Sequence, residues 1–170
     1  MASGHAKLDV DVAGSFKQAL RAVASSVAVI TAHDGKRCHG MTATAVMSVS
    51  MEPPALAVCI NQSSLLHEIL TAGERFCVNF LDEGHQAVSV AFSGGLPAEA
   101  RFGSGRWATD EEGLRYLEDA RSIIFCDKVS AVPFGTHTLF IGQVSKTRSS
   151  GDGSPLVYHN AGYCSALPLI

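Results

Sequence analysis

Residues 40–60 read Gly40-Met41-Thr42-Ala43-Thr44-Ala45-Val46-Met47-Ser48-Val49-Ser50-Met51-Glu52-Pro53-Pro54-Ala55-Leu56-Ala57-Val58-Cys59-Ile60, with Glu52 the one charge among them. Around Thr42 the apolar and polar side chains partly alternate, the period of a strand with two differently used faces. Pro53 and Pro54 lack backbone donors and stop that strand, so Ala55 to Ile60 reads as a new one. Small residues let a flat ligand approach the backbone, and Thr42, Thr44, Ser48 and Ser50 offer hydroxyls to its edge. The same composition would equally serve a Thr/Ser-rich sandwich strand.

Outward from this stretch, local signals divide the chain. Residues 1–14 read as a loose arm and 15–170 as one domain. Ser15 is placed to cap a helix whose Phe16, Ala19, Leu20 and Val23 follow helical spacing. Val27 to Ala32 is a buried strand, and Asp34-Gly35 turns it back towards Gly40. Asn61 to Ser64 precedes a helix carrying Leu65, Leu66, Ile69 and Leu70, closed by Gly73. Phe76 to Leu81 reads as a strand, Gln86 to Phe92 as a short helix, and Ser93 to Arg106 as a Gly-rich loop or lid. Ala120 to Val132 is a strand ended by Pro133 to Gly135, and Thr138 to Val144 is the next. Pro155 to His159 pairs back after a flexible turn at 149–154. Strands joined by short turns, with few helices, give a mainly antiparallel β-barrel with helical additions.

Composition excludes several classes. Charged residues make up 17% of the 170, against roughly 25% in ordinary soluble domains, which points to surface covered by another subunit. A net charge of -3 carries no nucleic-acid footprint. Apolar runs break at Pro53, Pro54, Asn61 and Gln62 before reaching bilayer length, and Met1 to Leu8 lacks a signal-peptide core. A cytoplasmic protein without membrane contact is therefore expected. Five cysteines without a Cys-x-x-Cys pair read as free thiols.

Two motifs fail on context. Gly103-Ser104-Gly105-Arg106-Trp107-Ala108 fits Gly-x-Gly-x-x-Ala, but it follows no strand and opens no helix. His33, Cys38 and His39 cluster, yet neighbours Cys38 and His39 point to opposite strand faces, so no metal is expected. At Asn61-Gln62-Ser63-Ser64 two readings stand: a phosphate seat at a helix N-terminus, or an ordinary N-cap.

The run Gly40-Met41-Thr42-Ala43-Thr44-Ala45-Val46, then Ser48-Val49-Ser50 and Pro53-Pro54, with Cys59-Ile60-Asn61 after it, resembles the signature of the flavin reductase family. The nearest likeness is to reductase components of two-component 4-hydroxyphenylacetate hydroxylases, which share Gly135-Thr136-His137 where many relatives carry Gly-Asp-His. The resemblance spans about Phe16 to Tyr163. It implies a split antiparallel β-barrel that dimerises and carries hydride from NADH or NADPH to FMN or FAD. Reduced flavin then goes to a separate oxygenase. By position it implies flavin contacts from Thr42, Ala43, Thr44, Ala45, Ser48, Val49 and Ser50, and a phosphate seat at Asn61, Ser63 and Ser64. Arg101 and Phe102 would lie near the phosphate or ring edge, His137 against the nicotinamide nucleotide, and Tyr158 and Tyr163 over the ring. The alternative is a split-barrel protein that binds flavin without turnover.

Overall fold

Val27 to Ala32 is apolar on both faces because both faces are covered. In the computed structural model, which describes residues 11–150, 153–167 and 169, this run forms strand β2 (Ala28–His33). Val27 and Val29 face one core, with Phe92, Leu114, Leu117 and Phe125. Ala28, Ile30 and Ala32 face a second, with Val58, Ile60, Phe76 and Phe140. Such continuous apolar strands belong in the middle of a layered structure.

The remaining strands are β1 (Ser25–Ser26), β3 (Cys38–Ala43), β4 (Val46–Met51), β5 (Pro54–Asn61), β6 (Arg75–Phe80), β7 (Trp107–Thr109) and β8 (Arg115–Leu117). β9 (Ser122–Phe134), β10 (His137–Ser149), β11 (Leu156–His159) and β12 (Gly162–Ser165) follow. Seven strands form one antiparallel sheet in the order β3-β2-β6-β9-β10-β5-β4. β1, β11 and β12 form a small sheet, and β7 pairs with β8. The expected mainly β, antiparallel fold with a few helices is what the chain adopts.

The two edge strands, β3 and β4, are consecutive in sequence and separated by Thr44 and Ala45 alone. Three virtual bonds span at most about 11 Å, so the sheet must curl until its edges meet at this corner. The stretch expected to run as one strand through Thr42 to Ser50 is therefore two strands on opposite edges. The break is a γ-turn, with Val46 N donating to Thr44 O at 3.0 Å. Sheet curvature imposes it, without a glycine or proline to announce it.

Among the described residues there are three α-helices, α1 (Val12–Arg21), α2 (Leu65–Ala72) and α3 (Gln86–Val90), with short 3-10 and π segments at Glu83–His85, Ala91–Gly95 and Ala98–Gly103. α1 starts three residues before Ser15, because the Asp11 side chain accepts from Gly14 N at 2.9 Å and caps it. The rest of the expected arm, residues 1–10, lies outside the described residues. α2 buries Leu66, Ile69 and Leu70 in the second core; its N-cap, Ser64, falls within the expected stretch 61–64 and Gly73 closes it as expected. A Cβ on Gly73 would lie 2.2 Å from the His33 carbonyl oxygen, so only glycine fits there.

Two further expectations need correcting. Pro133 does not stop β9, which continues to Phe134. Beyond Asp127 that strand pairs with β10 alone, so a residue lacking N–H is tolerated on its open side. The β7–β8 hairpin was unforeseen. Its members are three residues long, and buried Asn79 ties it to the sheet through Oδ1, which accepts from Leu117 N at 2.9 Å. No helix among the described residues is long and apolar enough to cross a membrane.

Candidate functional site

The Thr44–Ala45 corner gathers the sequence motifs from two sides. On one side Cys59 N donates to Ala45 O at 3.1 Å, which places the corner against the end of β5. Two residues on, Asn61 pairs directly with His137 at the start of β10. Gln62 ties these ends together: its N donates to Thr136 O at 2.9 Å and its Nε2 to His137 O at 3.1 Å. Asn61 Oδ1 accepts from Ser63 N at 2.9 Å and from Ser63 Oγ at 2.8 Å. Ser64 Oγ accepts from His67 N at 3.2 Å, so Ser64 is the N-cap of α2. The remaining first-turn N–H groups of α2 keep their partial positive charge beside this cap. His137 is exposed, with Nδ1 2.9 Å from Thr136 Oγ1.

On the other side lies a 220 Å³ cleft between Thr42, Ala43 and Thr44 on the corner strand and the Tyr158–Tyr163 pair of the C-terminal hairpin. The two tyrosine rings meet edge-on, 5.4 Å apart at 71°. Ser89 on α3 joins the cleft walls. Its Oγ lies 2.8 Å from Tyr163 Oη, and its carbonyl accepts from Thr42 Oγ1 at 2.7 Å. Thr42 thus fastens the cleft wall, while Thr44 is exposed to the cleft. A second cleft of 340 Å³ continues past Thr44 and Tyr158 to the C-terminal half of α1.

Other expected residues stand apart. At about 3.3 Å per residue, Ser50 lies roughly 17 Å along β4 from Ala45. Its Oγ accepts from Glu52 N at 3.0 Å, and Val49 sits in a bulge between Ser48 and Ser50. Arg101 Nη1 lies 3.2 Å from His39 Nε2 and donates to Gly40 O at 3.2 Å, while its Nε reaches Leu96 O at 3.1 Å. Burial, and then the Arg101 charge, push the His39 pKa down, which leaves Nε2 free to accept. Phe102 packs with Phe92 and Trp107 at ring separations of 5.2 and 5.1 Å, under the Arg115 guanidinium. Arg101 straps the Gly-rich segment to β3, Phe102 packs it on the first core, and both stand outside the Thr44 clefts. Gln62, His67, Thr138 and Ser89 organise the site without having been foreseen. Gln62 at least lay inside the polar loop already singled out.

Residues 20–167 match the family model of the flavin reductase like domain. The chain belongs to that family. The reductase component of the FADH2-dependent resorcinol hydroxylase of Rhizobium sp. strain MTP-10005 is 46% identical over 159 residues, 92% of this chain and 89% of that protein. The NADH-dependent FMN reductase RutF of Variovorax paradoxus strain S110 is 36% identical over 148 residues, 87% of this chain and 82% of the relative. Among solved structures, the styrene monooxygenase flavin reductase of Pseudomonas putida S12 matches with a TM-score of 0.81 at 32% identity, over 91% of this chain and 99% of that one. The flavin reductase fold therefore extends over nearly all of the described chain.

Proposed function

We propose that this flavin reductase carries hydride from NADH to FMN or FAD and hands the reduced flavin to a separate oxygenase. The observation that carries the reading is the Thr44–Ala45 corner, which brings Asn61, Ser63, Ser64 and His137 to one side and the Tyr158–Tyr163 pair to the other. These residues fit a flavin. Ala43 and Ala45 leave room beside the backbone, Thr44 offers a hydroxyl, and the tyrosines offer an aromatic wall. The α2 N-terminus suits a phosphate.

The flavin supplies the redox chemistry when bound. The chain's own residues position and shield: Asn61 and Ser63 with the α2 N-terminus hold the phosphate, and Tyr158 excludes water. His137 is the contact for the nicotinamide nucleotide, and the reading requires no side chain as acid or base. Orientation of two reactants can supply much of the barrier lowering. The resorcinol hydroxylase reductase supports the choice of an oxygenase partner. Because NADH is regenerated in the cytoplasm, we place the enzyme there.

We read the enzyme as a homodimer. Val12, Phe16 and Leu20 form one stripe on α1 and Val23 follows just past its end, each more than half exposed. Phe134 (88% exposed), Val132 and Met47 add apolar surface on the strands. A two-fold partner is the commonest cover for such surface. Sedimentation of an active monomer near 18 kDa would refute the dimer. The reductase reading is tested by anaerobic NADH oxidation with FMN and with FAD. Flavin bleaching in step with NADH loss is expected, and NADH left unconsumed with both flavins overturns it.

A further inference from the structure

The 340 Å³ cleft beside α1 carries charge that the reading above does not use. Its α1 wall presents Lys17 and Arg21, four residues apart and so on one helix face. Among the described residues neither side chain has a hydrogen-bond or ion-pair partner. The other walls are polar at Ser25, Thr44, Tyr158, His159 and Asn160 and apolar at Leu20, Val23 and Ala161, and no carboxylate lines the cleft. In a chain of net charge -3, two uncommitted cations facing an acid-free cleft are a local reversal of sign.

The cleft is also placed for a ligand that begins elsewhere. Thr44 and Tyr158 line both it and the 220 Å³ aromatic cleft, so one molecule can lie across the two. Their combined size falls within the roughly 300–1,000 Å³ usual for small-molecule sites. A ligand spanning them would set a flat aromatic part against the tyrosines and an anionic part against Lys17 and Arg21. That is the chemistry of a nucleotide.

We propose that Lys17 and Arg21 form an anion subsite for the phosphate-bearing arm of a nucleotide seated at the Thr44 corner. The proposal rests on the reductase reading for the presence of nucleotides, and its test is equilibrium binding, which needs no turnover. The full-length double variant Lys17→Gln/Arg21→Gln keeps helix-forming residues at exposed positions, so it should fold. A charge-conserving control, Lys17→Arg/Arg21→Lys, accompanies it.

Flavin titrations with riboflavin, FMN and FAD at low ionic strength, and titrations with ADP-ribose, give the readout. The neutral variant should bind the phosphate-bearing compound about tenfold more weakly and with a shallower salt dependence, while riboflavin binding is unchanged. The control should restore it. A loss for FMN as well as FAD assigns the subsite to the flavin phosphate in place of the α2 N-terminus, and a loss for FAD alone to the outer phosphate of the dinucleotide. A loss confined to ADP-ribose assigns it to the nicotinamide nucleotide. Unchanged affinity for all four compounds overturns the proposal, and so does an equal loss for riboflavin, which carries no phosphate. A protein that passes this test yet oxidises no NADH would overturn the reductase reading alone.

Discussion

Replacing His137 by alanine separates a ligand contact from a structural residue. The ring stands exposed at the start of β10, and its nearest side-chain partner is Thr136 Oγ1 at 2.9 Å. The pairing of this position with Asn61 and Phe134 runs through its backbone, which alanine retains. Loss of one exposed contact and of some strand preference together cost under about 1 kcal/mol. In a chain of this length that lowers Tm by less than about 4 °C. A hydrogen bond to the nicotinamide nucleotide contributes about 1 kcal/mol to the ternary complex, so the KM for NADH should rise about fivefold. If turnover falls as well, His137 also makes an interaction specific to the hydride-transfer geometry. Scanning fluorimetry and steady-state NADH oxidation on one preparation measure both quantities. A Tm drop well beyond 4 °C with an unchanged KM would refute the reasoning and remove His137 from the site.

Lys128→Met should lower Tm by about 3–8 °C and leave activity per folded molecule unchanged. Lys128 Nζ donates to the carbonyls of Leu70 and Thr71, both at 2.8 Å, and of Gly73 at 2.5 Å, capping the C-terminus of α2. Gly142→Ala should destabilise by about 1–3 kcal/mol in urea unfolding, because a Cβ would lie 2.5 Å from the Phe76 ring and 2.6 Å from Cys126 Cβ. Alkylation followed by mass spectrometry should find Cys164 modified first in the native protein, since it is exposed. Cys77 and Cys126 should react only on unfolding, because burial raises both thiols, the latter to about 12.

What could be read in advance was local chemistry. The Asp34-Gly35 turn, the Ser64 cap and the Gly73 stop each follow from the preferences of one or two residues, and each stands where expected. The split of Thr42 to Ser50 across two sheet edges could not be read, because nothing in Thr44-Ala45 breaks a strand. The curl of the sheet demands the break, and that curl is a property of seven strands together. Arg101 and Phe102 show the converse. The family resemblance implied a ligand contact, while the side chains find His39, Phe92 and Trp107 inside the fold. His137 and Asn61 were named separately, and it took the β5–β10 register to make them neighbours.

The Thr44–Ala45 corner is both the seam of the curled sheet and the ridge between its two clefts. Anything seated there would act as a clasp, because the two clefts are lined by β3, the corner and the C-terminal hairpin at once. Opening the seam must then release the ligand, so occupancy and closure are thermodynamically linked. At one hundred times its dissociation constant, such a ligand adds about 2.7 kcal/mol to the closed form. Were a nucleotide to seat there as proposed, the resistance of this protein to heat and proteases would rise with its concentration.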